Sequence, residues 1–373
     1  MALVDGLPSV ILENVSKLID KKVPEDTAAL VKQFSEFLYS NMSTIDLANR
    51  NDSDMYGATL SLWNSLNSHT DNTPVIRVIN PEVSKHGWKS SHTVVEVIVN
   101  DMPFLVDSIR IGLNRLGLSP HLMLNKPIRV VRDKDGRVSK LADSSSRIKS
   151  GRVETVFFIE IDRQTEKTAL KDLTKELLSV VSDVSLTVED WQPMLNRLQE
   201  LSKDILTVKS PCDKSEVTET LEFLKWVADN NFTLMGYRSY DVKAIQGDLV
   251  LEANLESSLG LMKNSKATKQ RKISQLSESA REIALGNNLL ILTKTNSRSR
   301  VHRPAHLDYI GIKRFDDKGN VIGEERFVGL FGSAFYTNSA LELPLIKQKV
   351  MRVCDSSGFA KGSHDYKTLI NIL

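Results

Sequence analysis

The residues His92–Leu116, with the sequence HTVVEVIVNDMPFLVDSIRIGLNRL, decide the fold of the region around them. The β-branched residues between Val94 and Val99 are typical of a buried strand. The residues Asn100–Pro103 interrupt this run, and Pro103 stands where a helix can begin. Apolar residues follow at helical spacing, namely Leu105, Ile109, Leu113 and Leu116. The stretch therefore predicts a strand, a tight polar turn and an amphipathic helix that packs back on the strand.

The composition is that of an ordinary globular protein, with 41% hydrophobic and 26% charged residues among 373, a length that predicts two or three domains. The net charge of +2 supplies no overall field for nucleic acid or an anionic membrane. No apolar run approaches the length of a membrane span, and the start lacks the basic segment of a signal peptide. The two cysteines, Cys212 and Cys354, lie far apart. We therefore expect a soluble cytoplasmic protein without nucleic-acid or membrane partners.

The surrounding patterns predict an α+β chain whose first half contains a ferredoxin-like βαββαβ domain. Three helices are expected within residues 8–67, and a short strand at Val75–Ile79. After the opening strand and helix, the pattern gives a strand at Pro120–Val131, a DKDG turn, a mobile loop at Ser139–Gly151, a strand at Val153–Ile161, a helix at Leu170–Val181 and a fourth strand at Val184–Val188.

The second half predicts an antiparallel α+β domain. Strand patterns there include a hairpin formed by Leu307–Phe315 and Val321–Phe331, joined by the turn DDKGN. The basic run at residues 263–272 is poor in apolar residues and reads as an exposed loop. The last residues end on LINIL without a cap or polar tail, which predicts that the chain has been cut from a longer one.

Residues for catalysis are not expected in this chain. No glycine-rich dinucleotide or phosphate fingerprint is present, so the sequence predicts neither a bound cofactor nor a catalytic site. His302 and His306 are four residues apart, but Pro304 lies between them, so no metal site is predicted. An RNA-binding sheet is rejected because the strand that carries Phe157 and Phe158 also carries acidic residues that repel phosphate, namely Glu154, Glu160 and Asp162.

Two segments remain as candidate sites. The first is the turn at the start of the helix, where backbone N–H groups could hold a carboxylate: Asn100, Asp101, Met102, Pro103 and Phe104. The alternative is that Asn100 or Asp101 merely caps the helix. The second is the loop SRSRVHRP, whose Arg298, Arg300 and Arg303 suit an anion or the docking of another domain. The alternative for this loop is a solvated surface.

The turn NDMPFLVDSI resembles that of an ACT domain, whose usual pattern is Asp-x-Pro-Gly-x-Leu. Asp101, Pro103 and Leu105 match this pattern, whereas Phe104 replaces the glycine. In ACT domains that glycine lets the backbone approach an amino-acid ligand, so the resemblance implies that the ligand site is altered here.

A broader resemblance covers most of the chain. The blocks NDMPFLVDSI, FLKWVADNNFTLMGYRSYDV, TKTNSRSRVHRP with DYIGIKRFDDKGNVIGEERFVGLFGSAFY, ELPLIKQKV and SHDYKTLINIL resemble, in this order, those of the large bacterial NAD-specific glutamate dehydrogenases. The resemblance implies regulatory ACT-like and PAS-like domains here, with NAD and the catalytic lysine and aspartate in a C-terminal region beyond residue 373. It also implies a homo-oligomer and a possible amino-acid effector.

We therefore expect an N-terminal regulatory or assembly fragment of such an enzyme, itself without activity. The alternatives are a stand-alone amino-acid-sensing module of ACT type and an interaction scaffold that binds no ligand. The expected divisions are a helical segment at 1–72, an ACT-like domain at 73–190, a helical linker at 191–215, a PAS-like domain at 216–342 and a helical segment at 343–373.

Overall fold

The computed structural model describes residues 7–40, 42–48, 50–69, 73–148, 150–207, 211–265 and 269–372. It divides into two units, Met1–Val184 with Arg300–Arg303, and Ser185–Ser299 with Pro304–Leu373. Each unit combines helices with one antiparallel sheet, so the predicted α+β class is confirmed. The finer divisions given above stay a prediction. Within the described ranges, every helix is too short or too polar to cross a membrane.

The first unit begins with a layer of helices held together by apolar stripes. Val15, Val31, Phe34 and Leu62 are buried in the core between these helices and the sheet. The three predicted helices are present, and a short fourth one lies between the second and third of them. The bounds are α1 Leu7–Lys22, α2 Glu25–Tyr39, α3 Thr44–Ala48 and α4 Asp52–Ser68.

The sheet of the first unit has the strand order β1-β2-β5-β3-β4, and every neighbouring pair is antiparallel. Its strands are β1 Val75–Ile79, β2 Thr93–Asn100, β3 Pro120–Arg132, β4 Val138–Asp143 and β5 Arg152–Ile161. The remaining helices of this part of the chain are α5 Val83–His86, α6 Leu105–Arg115 and α7 Lys167–Glu189.

Both faces of the central strands β2 and β5 are buried, which explains why these strands are apolar at consecutive positions. Ile98 and Phe158 pack into the core beneath the helical layer. Their neighbours Val97 and Phe157 point to the opposite face by strand alternation and are also fully buried. The predicted strand, turn and helix of residues 92–116 are confirmed, except that Leu116 ends the helix and is 41% exposed.

The predicted fourth strand at Val184–Val188 is wrong, because these residues continue α7. Leu173, Leu177, Val180 and Val184 are all buried at helical spacing, so the apolar stripe runs on past the predicted helix end. The place of that strand beside β2 is taken by β1, which pairs with it from Val75↔Ile98 to Ile79↔Val94. The unit thus keeps a ferredoxin-like sheet with an edge strand, β1, that precedes the segment β2-α6-β3-β4-β5-α7.

The predicted mobile loop at Ser139–Gly151 is also wrong over its first residues. Residues 138–143 form β4 and pair with β3, with Leu141 opposite Val130. Val138 and Leu141 are buried in the core beside the helical layer, which explains why this polar-looking segment is ordered as a strand. Residue 149 lies outside the described residues.

The second unit contains a sheet of order β10-β11-β12-β6-β7-β9, with β8 paired to β6. The predicted hairpin is confirmed as β11 and β12. The last three residues of the basic run at 263–272 form β9 rather than a loop, whereas residues 266–268 lie outside the described ranges. The strands are β6 Phe232–Ile245, β7 Asp248–Ala253, β8 Leu259–Gly260, β9 Gln270–Lys272, β10 Leu290–Arg298, β11 His306–Phe315 and β12 Val321–Phe331.

Helices pack on one face of this second sheet through a core that includes Leu198, Phe223 and Phe327. A smaller cluster around Val350, Cys354 and Tyr366 joins the last two helices. The bounds are α8 Trp191–Thr207, α9 Lys214–Trp226, α10 Glu278–Leu285, α11 Ala334–Thr337, α12 Ile346–Ser356 and α13 His364–Ile372.

Gly57 in α4 allows the helical layer to pack closely on Trp88. A Cβ added at Gly57 would lie 2.3 Å from the Cβ of Trp88, a side chain that is 3% exposed. At a solvent-exposed helix position, glycine-to-alanine substitution raises the free energy of unfolding by about 1 kcal/mol, whereas overpacking of a core lowers it by about 1–3 kcal/mol. We expect Gly57→Ala to lower the free energy of unfolding in urea, and Asn64→Ala, at an exposed site in α4, to leave it unchanged or raise it. A stabilised Gly57→Ala variant would contradict this packing.

Candidate functional site

The turn between β2 and α6 is fixed by hydrogen bonds to the neighbouring strand β5. The backbone N–H of Asp101 donates to the carbonyl of Val153 at 2.9 Å, and the hydroxyl of Thr155 donates to the Asp101 carboxylate at 2.5 Å. The N-cap residue of α6 is Phe104, whose side chain makes no capping bond. The Asp101 carboxylate is therefore directed at the sheet and does not cap the helix.

Phe104 adopts a left-handed backbone conformation, with φ 73° and ψ −3°. This conformation costs a non-glycine residue on the order of 1–2 kcal/mol and suits glycine. The turn therefore retains the backbone shape for which glycine is best suited, although a phenylalanine now occupies the position. The substitution changes the surface of the turn and leaves its path unaltered.

The segment Arg300–Arg303, which belongs to the first unit, covers the start of α6. The rings of Phe104 and His302 lie 5.1 Å apart, and the backbone N–H of His302 donates to the Ser108 hydroxyl at 3.2 Å. Burial lowers the pKa of His302, as does the nearby charge of Arg303. His302 therefore packs on Phe104 as a neutral ring at pH 7.

Arg300 holds the same segment against α7. Its guanidinium lies 2.5 Å from the Asp183 carboxylate and 3.8 Å from that of Glu176. Asp183 is 5% exposed, so this ion pair is mostly shielded from solvent. The structure thus brings Arg300 and Phe104, taken from two separate candidate sites, into one surface of the first unit.

The other two arginines of the predicted loop lie apart from this contact. Arg298 is exposed at the end of β10, where its backbone pairs with His306, and both residues belong to the second unit. Arg303 is half-buried beside His302. Among the described residues, no group of three or more histidine, cysteine or acidic side chains is arranged to hold a metal ion.

A cleft of about 290 Å³ opens beside the turn. Its described walls include Phe104, Asn125 and Thr155 together with the carboxylates of Asp101 and Asp107, and contain no basic side chain. Two carboxylates beside the helix start oppose the attraction of its N–H groups for an anion. Binding of a ligand at Asn100–Phe104 stays a prediction.

Three buried glutamates on the face beneath the helical layer form a second feature of the first unit. Glu96, Glu154 and Glu160 are 0%, 0% and 4% exposed. Each is paired with an arginine from another element: Arg77 of β1 with Glu96 at 2.9 Å, Arg132 of β3 with Glu154 at 2.9 Å, and Arg50 before α4 with Glu160 at 2.6 Å.

The helices supply further partners for these carboxylates. Ser61 and Ser65 of α4 donate to Glu96 at 2.5 and 2.9 Å. His69, directly after α4, lies 3.0 Å from Glu154. Burial alone would raise the pKa of Glu154, but the hydrogen bond from His69 and the charge of Arg132 outweigh it and lower the pKa. The ion pairs therefore join the helical layer to the sheet.

These pairs were missed in the sequence, where Glu154 and Glu160 read only as charges that repel phosphate. The signal was available, because an acidic residue within a strand that is otherwise apolar on both faces must be buried and therefore needs a partner. The partners themselves lie 22 and 110 residues away from Glu154 and Glu160, so no local pattern identifies them.

The sheet, its first turn and the helices on both faces define the first unit as an ACT-type α+β domain. The family model described as "Glutamate dehydrogenase, ACT1 domain" matches residues 34–177, and "Glutamate dehydrogenase, helical motif 1" matches residues 343–373. The ACT1 match begins within α2, so it includes much of the helical layer.

Three curated relatives are NAD-specific glutamate dehydrogenases. That of Halomonas elongata is 33% identical over 97% of this chain and 23% of its own length. That of Pseudomonas aeruginosa is 36% identical over 95% of this chain and 22% of its own length. A more distant one, from Mycobacterium tuberculosis, is 23% identical over 75% of this chain and 16% of its own.

Residues 34–177 and 343–373 therefore match glutamate dehydrogenase domain models, and nearly the whole chain is similar to NAD-specific glutamate dehydrogenases, as its sequence motifs predicted. It spans less than a quarter of the length of the first two relatives.

The backbone strain at Phe104 can be tested with two substitutions that both remove the ring contact with His302. We expect Phe104→Gly to be more stable than Phe104→Ala by about 1 kcal/mol, because only glycine adopts the left-handed conformation without strain. At Arg110, an exposed position inside α6, the order should reverse by about the same amount. Urea unfolding of the four variants measures both differences, and the same order at both positions would contradict the strain.

The lowered pKa of Glu154 predicts how stability depends on pH. Its contribution is present above the ordinary value of 4.5 and is lost as the pH falls through the lower value of the folded state. We expect Glu154→Gln to lower the free energy of unfolding by about 3 kcal/mol at pH 7, since it leaves Arg132 and His69 without the buried carboxylate. The loss should shrink towards pH 3. Glu82→Gln, at a partly exposed position where the carboxylate pairs with Lys85 on the surface, serves as the control and should change stability little; a pH-independent loss in Glu154→Gln would refute the linkage.

Proposed function

We propose that this chain is the N-terminal regulatory and assembly part of a cytoplasmic NAD-specific glutamate dehydrogenase. The whole protein would oxidise L-glutamate with NAD and water to 2-oxoglutarate, ammonium and NADH. This chain would contribute no catalytic residue to that reaction. The observation that carries the proposal is the match of nearly the whole chain to less than a quarter of two enzymes of this kind.

Two features of the chain support this division of labour. The sequence has no glycine fingerprint for a dinucleotide, so NAD is assigned to the C-terminal catalytic region. The ACT1 match covers a domain whose buried carboxylates Glu96 and Glu154 are held in internal ion pairs. Such a domain is suited to transmit or support a conformation rather than to perform chemistry.

The finer assignments belong to the same proposal. We assign residues 216–342 to a PAS-like domain, which is supported by the antiparallel sheet of β6–β12 with helices packed on one face. We also assign a homo-oligomeric state to the whole enzyme, supported by the edge position of β1, since the backbone N–H and C=O groups of an edge strand can pair with a second chain. An effector that binds the first unit would regulate the catalytic region.

The test uses the complete gene product that contains this chain. We expect the complete protein to form NADH from glutamate, measured by absorbance, and the isolated chain to form none. Removal of residues 1–373 should change the number of subunits in the oligomer, measured by light scattering, or the response of the reaction rate to effectors. Glutamate-dependent NAD reduction by the isolated chain would refute the proposal. A complete reading frame without a dinucleotide-binding domain would also refute it, and would favour the stand-alone module or the scaffold.

A point variant covers the case in which the shortened enzyme does not fold. Arg300→Met removes the ion pair with Asp183 that holds residues 300–303 on α7, and Arg298→Met is the matched control at an exposed site. We expect Arg300→Met to alter the oligomeric state of the complete enzyme or the response of its rate to effectors, while the KM for NAD stays unchanged. Identical behaviour of Arg300→Met and the control would argue against a regulatory role for this surface.

A further inference from the structure

A second cleft lies in the first unit, at the end of β5 opposite to the turn. Its volume is about 300 Å³, and it opens between the helical layer, the loop at residues 88–92 and the sheet. The register places Glu160 near this end of β5 and Glu154 opposite Asn100 at the turn, so the two clefts are separated by the length of the strand. We call this space the Trp88 cleft, after the side chain in its floor.

The floor of the Trp88 cleft is apolar and well fixed. Met55, Leu122 and Phe158 contribute to it, and the rings of Trp88 and Phe158 lie 6.4 Å apart. Trp88 is held in place by its close approach to Gly57. A floor of this kind can bury the apolar part of a small molecule, at about 25 cal/mol per Å² of apolar surface removed from water.

The polar wall formed by Arg50 and Glu160 carries no net charge. Both terminal nitrogens of Arg50 donate to the Glu160 carboxylate, at 2.9 and 2.6 Å, so that these two ions neutralise each other. His92 stands 3.9 Å from the same carboxylate. The charge that a ligand meets is therefore set by the side chains at the rim.

The rim carries opposite charges on its two sides. The carboxylates of Asp46 in α3 and Asp54 in α4 lie on the helical side, whereas the loop contributes the cation Lys89 and the imidazole ring of His92. The Asp46 carboxylate accepts a bond from Ser43 at 2.7 Å, and that of Asp54 accepts the backbone N–H of Lys89 at 3.0 Å. A carboxylate has about four acceptor sites, so each retains capacity for a ligand ammonium.

We propose that the Trp88 cleft binds a free α-amino acid with an apolar side chain. The ammonium group is placed at Asp46 and Asp54, the carboxylate at Lys89 and His92, and the side chain on the apolar floor. An anion without an ammonium group would meet the two acidic residues, and an amine without a carboxylate would meet Lys89. The inference rests on the proposed function only in making this ligand a regulator; binding itself does not depend on it.

The experiment measures the thermal midpoint of this chain against ligand concentration. The panel pairs L-leucine and L-methionine with the matching amines, which lack the carboxylate, and with the matching carboxylic acids, which lack the ammonium group. A ligand that binds only the folded state raises the midpoint as its concentration increases. We expect the midpoint to rise with the amino acids but not with the amines or the carboxylic acids. Isothermal titration calorimetry then gives the dissociation constants.

Two variants locate the site. Lys89→Met and Asp54→Asn should each weaken binding at least tenfold; the asparagine oxygen of Asp54→Asn can still accept the backbone N–H of Lys89 and preserve the loop. Lys85→Met is the matched control, because Lys85 is an exposed lysine four residues away, paired with Glu82 and outside the cleft. Midpoints without ligand should agree among all four proteins.

Three results would overturn the inference. The first is no response to any amino acid in the panel, and the second is equal binding by an amine or an acid alone. The third is binding that survives Lys89→Met and Asp54→Asn but is lost in Asp101→Asn, which would place the ligand at the turn. None of these outcomes affects NADH formation by the complete gene product, so the proposed function is tested independently.

Discussion

The first unit depends on the neutralisation of three carboxylates inside its core. Placing an ionised carboxylate in a poorly solvated interior costs several kcal/mol unless a cation and hydrogen bonds compensate it. Arg50, Arg77 and Arg132 provide the cations for Glu160, Glu96 and Glu154, and each arginine comes from a different segment of the chain. The helical layer, β1 and the central strands are consequently stable together, since removing any one of them would leave a buried charge without its partner. This is consistent with an ACT1 match that extends into α2.

The same requirement accounts for the order of the strands. The edge beside β2 is occupied by β1, whose Arg77 lies opposite Glu96 and neutralises it. The segment at residues 184–188 contains no cation and would leave Glu96 unpaired if it took that edge. With the position filled from the N-terminal side, α7 is free to continue as a helix of 23 residues, and its acidic residues Glu176 and Asp183 become the partners of Arg300.

Local patterns predicted those parts of the fold that depend on neighbouring residues. The period and turn residues of 92–116, the apolar run of β5 and the hairpin of β11 and β12 were all recognisable in the sequence. Residues 184–188 were mistaken for a strand because VSLTV has the β-branched composition of one, while its helical stripe becomes evident only with α7 as a whole. The partners of Glu154 and Arg300 could not be predicted, since contacts between distant segments leave no periodic signal.

The candidate site shows why the resemblance to ACT domains predicts the backbone better than the ligand. Phe104 keeps the left-handed conformation of the turn, so the strand and the helix meet as they would with glycine. The chemistry around it differs, because His302 packs on the ring and Asp101 and Asp107 line the adjacent space. The Trp88 cleft has the opposite character, with charges of both signs on its rim and an apolar floor. A zwitterion needs both signs within one small space, and of the two clefts that flank β5 only this one provides them among its described walls. Since the Arg50–Glu160 pair forms one wall of that cleft, a ligand there would contact the same ion pair that joins the helical layer to the sheet.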